Sequence, residues 1–352
     1  MQNIMRHMPE LGNRCRVVVL VTQQNSSSIM KHARHDTKYV TVHVRSVIGR
    51  VLYENVIMPV ILAASNADVL FAPSDIAPIW CPCRLVLGIQ NLNIYERISR
   101  DAIPLAAKRI VQRFLAKLAS KRADRVVFQS WFSASRVSNV LAIPKSKVVV
   151  ISHGSDGPLR RVRSETSVSA AYPVSADSIL CVANMSKHKN IGVLLEAYAL
   201  LDEGLRSKHA LVIVGRSDER YLAGLREQAL LLGIDHQITF AGWVPNDQLG
   251  LYYEAASVFV LPSLVETFGI PIIEAMACGV PTVVSNASSI PEIAGDAAAL
   301  VDPHDAQAFA DMIHKVLTES VFRDELIRKG LKRASAFSWS DSVRKLMEVL
   351  CG

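Results

Sequence analysis

Two glutamates eight positions apart, Glu266 and Glu274, flank a helix start in the run Pro262–Gly279. The residues before it, Ser257–Leu261, read as a buried strand that Pro262 ends. Gly269 supplies backbone freedom, Pro271 suits a first helical turn where its missing N–H costs nothing, and Gly279 reads as the stop. The order is therefore strand, loop, short helix, with Glu266 in the loop and Glu274 about one turn inside the helix. A helix start offers unpaired N–H groups and a partial positive charge, which suit a phosphate. Both carboxylates can face the crevice at the carboxyl end of a parallel strand, where open α/β sheets bind ligands.

A cationic element precedes this run. Lys187 and Lys189 lie in Val182–Asn190, after a second buried strand and before a helix from Ile191. The bland reading is a basic loop with Asn190 capping that helix. Asp302, His304 and Asp305 read as a loop, and no acidic cluster has metal-ligand spacing, so metal-independent chemistry is expected. Further polar candidates stand at strand ends: Gln90 and Asn91, Ser130, and His153 followed by Gly154. Gln90 and Asn91 are amides, which can hydrogen-bond a hydroxyl but cannot take a proton. Trp243 and Val244 after Gly242 border either a base or the core.

Short β-branched runs alternate with helical patterns along most of the chain, which predicts parallel sheets built from βαβ units. Strands are expected near Arg16–Thr22, Asp68–Ala72, Leu85–Ile89, Arg125–Gln129 and Lys147–Ile151. A second set is expected near Ser178–Ala183, Ala210–Val214, Gln237–Phe240, Ser257–Leu261, Thr282–Ser285 and Ala298–Val301. The fold class is α/β, with two doubly wound Rossmann-like domains facing a cleft. The expected division is 1–155, a Ser-, Arg- and Pro-rich linker at 156–176, and 177–352, with the last helix packing back on the first domain.

At 352 residues the chain can hold two full cores. Its apolar runs are too short to span a bilayer, and no signal-peptide pattern opens it. Six cysteines without metal-ligand pairing suit reduced thiols in a cytosolic protein. Charge is uneven. Residues 1–160 hold 22 Lys+Arg against 9 Asp+Glu, whereas 161–352 hold 17 against 23. A basic half suggests an anionic partner. Within 105–122, Arg109, Arg113, Lys117 and Lys121 recur every four residues along one face, with Ile110, Phe114, Leu115 and Leu118 elsewhere. Such a helix can lie on anionic lipid, so peripheral membrane association is expected. Aromatics are not interleaved with these charges, and nucleic acid is not an expected partner.

The run from Pro262 to Gly279 resembles the E-x7-E signature of the retaining glycosyltransferases of family 4. Leu251–Ser257 upstream, Val280–Ser285 and Ile290–Ala297 downstream, and Phe337-Ser338-Trp339 near the end follow in that family's order. The resemblance covers about residues 125–345. It implies a GT-B type fold and transfer of a hexose, mannose favoured, from a nucleotide-diphosphate sugar to a glycan or lipid-linked acceptor in bacterial surface polysaccharide synthesis. No cofactor is implied beyond the donor. By resemblance Lys189 contacts the donor diphosphate, the amides of Phe268, Gly269 and Ile270 meet it, Glu274 accepts from ribose hydroxyls, and Glu266 holds the transferred sugar. Many relatives carry an arginine where Asn184 stands, and a histidine followed by an acid where Gln90 and Asn91 stand. The family's opening strand and glycine-rich loop are expected to be absent, because Met1–Leu11 already reads as the end of the following helix. Alternative readings are a non-catalytic binding or scaffold protein on the same fold and a sugar-nucleotide epimerase.

Overall fold

The computed structural model describes residues 2–7, 18–22, 38–42, 49, 52–96, 103–155 and 176–352. The chain divides into two compact units, Met1–His153 with Ser338–Gly352, and Gly154–Phe337. Of the expected linker, residues 156–175 lie outside the described residues.

In the first unit, α1 (Gln2–His7) precedes the parallel pair β1 (Val18–Thr22) and β2 (Lys38–Val42), with Leu20 opposite Val40. The strand β2 was not expected from the sequence. Its five residues are bounded on both sides by basic and polar residues, which mask a short alternating run. A π-helical turn, Tyr53–Ile57, leads into α2 (Met58–Ala64). Then come β3 (Val69–Ala72), β4 (Arg84–Gly88), α3 (Ile103–Arg122), β5 (Arg125–Phe128), α4 (Trp131–Leu141) and β6 (Val148–Val150). The last four strands form one parallel sheet in sequential order. Leu85, Val86 and Leu87 are fully buried, as the middle of a parallel sheet covered on both faces requires.

The basic face expected on α3 needs correction. Lys117 and Lys121 are exposed, but Arg113 turns its Nε to Ile94 O at 2.6 Å and Arg109 is half-buried. Ile110 and Phe114, expected elsewhere on the helix, share the exposed side with the two lysines and are 67% and 60% exposed.

The second unit runs β7 (Ser178–Val182), α5 (Ile191–Leu200), α6 (Glu203–Lys208), β8 (Leu211–Val214), α7 (Glu219–Leu231), β9 (Ile238–Gly242), α8 (Asn246–Glu254) and β10 (Ala256–Leu261). It continues through α9 (Ile270–Ala277), β11 (Thr282–Ser285), α10 (Ile290–Ala294), β12 (Ala299–Val301), α11 (Ala306–Thr318) and α12 (Ser320–Ala334). The six parallel strands are ordered β12-β11-β10-β7-β8-β9. Winding proceeds outward from β7 in one direction and from β10 in the other, so the switch point lies between these two strands. Ligands of doubly wound sheets bind beyond the carboxyl ends at such a point. Helices cover both faces, and the core includes Leu180, Val212, Phe259, Val283, Phe309 and Ile313.

The final helix, α13 (Trp339–Cys351), belongs to the first unit. Leu346 packs with Val86, Val127 and Ile151, and Ser342 Oγ donates to Ser152 O at 2.5 Å. Ser338 caps the helix by accepting from the Asp341 N–H.

Candidate active site

The loops that follow β7 and β10 meet at the switch point of the second unit. After β7 the chain makes a short turn, Lys187–Lys189, and reverses through Asn190 at φ 57°. The side chain of Asn190 does not cap α5. Its Nδ2 donates instead to Pro262 O (3.2 Å) and Pro303 O (2.6 Å), tying together the loops after β7, β10 and β12. The Leu264 N–H donates to His188 O at 2.8 Å, a second tie across the switch. Gly215, just beyond β8, has φ +149°, and a Cβ there would lie 1.9 Å from Ala183 O. Only glycine lets the two strand ends approach this closely.

Across that junction Lys189 Nζ donates to Glu266 Oε1 at 2.5 Å. The two were expected on different parts of a ligand; the structure pairs them. Ser263 Oγ donates to the same oxygen at 2.9 Å. The main chain of Glu266 is fixed as well: its N–H donates to Ser288 Oγ, and its carbonyl accepts from the hydroxyls of Ser288 (2.7 Å) and Ser289 (2.9 Å). A buried carboxylate needs such partners to offset lost hydration. All the described hydrogen bonds to its carboxylate fall on Oε1.

Glu274 stands on α9, which opens at Gly269 (φ +94°) without a side-chain cap. At φ +94°, a backbone conformation that L side chains rarely adopt, the turn that exposes the helix start favours glycine. The Glu274 Oε2 accepts from the phenol of Tyr253 at 2.9 Å, and Tyr253 itself is fully buried. The residue retains some exposure, yet its carboxyl packs deeply. That burial pushes its pKa up to about 7, with the Tyr253 hydrogen bond pulling the other way. Each of the two acids thus has one oxygen engaged by the protein, Glu266 in the loop before α9 and Glu274 within that helix.

The remaining sequence candidates divide by environment. Phe268 is buried, its ring edge-on to Phe337 at 5.6 Å in a cluster with Ile273 and Ile293, so its side chain packs in the interior of the unit. Ile270 is partly buried against that cluster. Lys187 and Asn184 are exposed, and Asn184 Oδ1 accepts from the Arg216 N–H at 3.3 Å. Val244 lies in the core at 4% exposure, so its side chain packs and does not border a ligand. In the first unit, Ser130 is fully buried and caps α4 in a reciprocal box with Ser133. His153 stacks obliquely on Trp339 with centroids 5.1 Å apart, and burial drops its pKa to about 4, so it is neutral at physiological pH. Gly154 is buried at the start of the second unit. Gln90 and Asn91 are exposed just beyond β4.

Tyr253, Ser263 and Arg216 carry no signal in the sequence, whereas Trp243, read there as bordering either a base or the core, proves exposed. The Arg216 guanidinium lies 5.1 Å from the centre of the Trp243 ring, over an indole 55% exposed beyond β9. Tyr253 reads in sequence as one more apolar position of a helix, and only the fold brings its hydroxyl to Glu274. Among the described residues, no three His, Cys, Asp or Glu side chains converge as a metal site.

Residues 164–333 match the family model for glycosyl transferases group 1. Over those residues the chain is similar to a group 1 glycosyl transferase domain. The serotype-specific mannosyltransferase WbdA of Escherichia coli is 31% identical over 293 residues, 81% of this chain and 35% of that protein. The O-antigen chain mannosyltransferase B of Escherichia coli is 34% identical over 62% of this chain and 58% of its own length. The chain therefore spans between about a third and three-fifths of these relatives. Among solved structures, Anabaena HepE in complex with UDP and glucose superposes with a TM-score of 0.76 at 18% identity, covering 99% of this chain and 94% of that one. The matched region and the unit before it thus have the architecture of two Rossmann-like parallel-sheet α/β domains found in GT-B glycosyltransferases.

Proposed function

We propose that the protein is a retaining, metal-independent glycosyltransferase of family 4. It moves a hexose, mannose favoured, from a nucleotide-diphosphate sugar to a glycan or lipid-linked acceptor. The observation that carries this reading is the junction at the β7/β10 switch point: Lys189 against Glu266, an uncapped helix start, and Glu274 one turn on. Transfer from such a donor requires a held diphosphate, neutralisation of the charge growing on it, and a fixed acceptor hydroxyl, so positioning and electrostatics dominate.

In this scheme the main chain from Phe268 to Ile270 and the Lys189 ammonium receive the diphosphate. Glu274 accepts from ribose hydroxyls, and Glu266 accepts from hydroxyls of the transferred sugar through Oε2. Since Glu266 Oε1 already binds Lys189 and Ser263, it suits hydroxyl binding and charge stabilisation better than nucleophilic attack. The acceptor oxygen attacks the anomeric carbon on the face the diphosphate leaves, and a phosphate oxygen takes its proton. Retained configuration follows. The serotype-specific mannosyltransferase WbdA and the O-antigen chain mannosyltransferase B support the choice of sugar, and the second of them the choice of a surface polysaccharide as product.

A place at the inner face of the cytoplasmic membrane fits the first unit. On α3 the exposed Ile110, Val111 and Phe114 adjoin Lys117 and Lys121, a combination suited to anionic headgroups. Among the described residues no helix is long and apolar enough to cross a membrane.

The test is a nucleotide-sugar panel, followed by NMR assignment of the anomeric centre in any product. Transfer with retained configuration supports the reading. Inversion, or isomerised donor without transfer, contradicts it.

A further inference from the structure

The turn that follows β4, residues 90–96, is fastened at three points by charged side chains from three different elements. At its start, Asp75 Oδ1, beyond β3, accepts the N–H groups of Gln90 (3.2 Å) and Asn91 (3.5 Å). In its middle, Arg113 of α3 donates to Ile94 O at 2.6 Å. At its end, Arg136 of α4 forms a two-pronged ion pair with Glu96, at 2.6 and 3.0 Å. Leu92 and Ile94 are buried beneath the turn, while Gln90 and Asn91 are exposed on it.

A surface turn does not need three charged anchors to fold, since each anchor orders a long side chain or shields a charge at a cost. A binding surface does need them, because a ligand rewards a turn already held in place. The cost is visible at Asp75, where burial pushes the pKa up to about 6 against the two N–H groups that lower it. Among the described residues, two buried polar atoms nearby have no hydrogen-bond partner: Tyr95 Oη, whose phenol feels the Asp75 charge, and Gln129 Oε1, at the end of neighbouring β5. Such atoms call for a polar guest or water. Directly after Gln129 and Ser130 comes Trp131, an indole 67% exposed at the start of α4.

We propose that Asp75 is a positioning residue, which locks the Gln90–Asn91 turn as a hydroxyl-binding surface for the carbohydrate acceptor. The inference rests on the glycosyltransferase reading and deepens it: the amides of Gln90 and Asn91 bind acceptor hydroxyls, and Asp75 acts through their main chain without touching the reacting atoms. Substitution at Asp75 should then change acceptor handling and leave donor handling alone.

The experiment uses the full chain, the nucleotide sugar it turns over, and a panel of octyl α-glycosides beginning with octyl α-mannoside. Asp75→Ala is expected to raise acceptor KM about tenfold, with donor KM and donor hydrolysis in water within about twofold. Asp75→Asn should recover most of the loss, because its amide oxygen still accepts both N–H groups. An unchanged acceptor KM in Asp75→Ala overturns the proposal. So do donor and acceptor constants moving together, Asn performing no better than Ala, or donor turnover without transfer to any glycoside. If the unaltered protein turns over no nucleotide sugar, the glycosyltransferase reading itself fails and this proposal fails with it.

Discussion

The phenol of Tyr253 donates to Glu274 Oε2 across 2.9 Å, joining the last turn of α8 to the first turns of α9. This bond is the one resolved influence holding the Glu274 pKa down against burial. Tyr253→Phe should therefore raise that pKa further and move the acid limb of donor KM to higher pH. The fold should lose about 1 kcal/mol, the usual worth of one such bond. A pH series of donor KM for the two proteins checks the direction.

Glu274 also makes stability depend on pH in a definite sense. Its folded pKa of about 7 lies above the ordinary 4.5, so between those values the folded state binds more protons than the unfolded one. Stability at this site is present at low pH and falls as pH rises through 7. Glu274→Gln removes that slope. Its stability relative to the unaltered protein should rise between pH 5 and pH 8 by on the order of 1–2 kcal/mol once partial exposure is discounted, and its relative Tm should rise with it. Equal Tm differences at both pH values would refute the assignment.

The Lys189–Glu266 pair is largely shielded, with side chains 16% and 10% exposed. Lys189→Met leaves the Glu266 carboxylate with Ser263 as its one partner among the described residues and should destabilise the second unit by roughly 2–3 kcal/mol. Adding Glu266→Gln should recover much of that loss, since no uncompensated charge remains. Urea unfolding of both single variants and the double variant gives the coupling directly.

Gly215→Ala forces a Cβ into Ala183 O and strains a positive φ. The expected loss is about 2 kcal/mol or more, with weaker donor binding because the loop carrying Lys189 must shift. Circular-dichroism melting and donor titration should change together.

Strands β1 and β3 to β12 could be read from the sequence because each is a short apolar run bounded by polar or turn residues, and in a parallel sheet the central runs are buried on both faces. The strand–loop–helix around Glu266 and Glu274 was legible for a related reason: Pro262, Gly269, Pro271 and Gly279 punctuate it at fixed positions. What remained hidden depends on distant packing. The spacing of Lys189 and Glu266, 77 positions apart, carries no sign that they bond. Helical periodicity located α3 but could not show Arg113 folding back onto Ile94, nor Ile110 and Phe114 left exposed. Asp75 drew no attention because its partners are main-chain N–H groups, which every residue except proline has.

In the proposed mechanism Glu266 and Glu274 hold the two sugars of one donor on either side of its diphosphate. Release of nucleoside diphosphate, followed with saturating donor and acceptor, tests it most directly when Glu266→Ala and Glu274→Ala are compared with the unaltered protein. Each variant is predicted to fold, with a cooperative melt, and to lose at least about a hundredfold in rate, the scale expected for deleting a transition-state contact. Undiminished release by either folded variant would contradict the account.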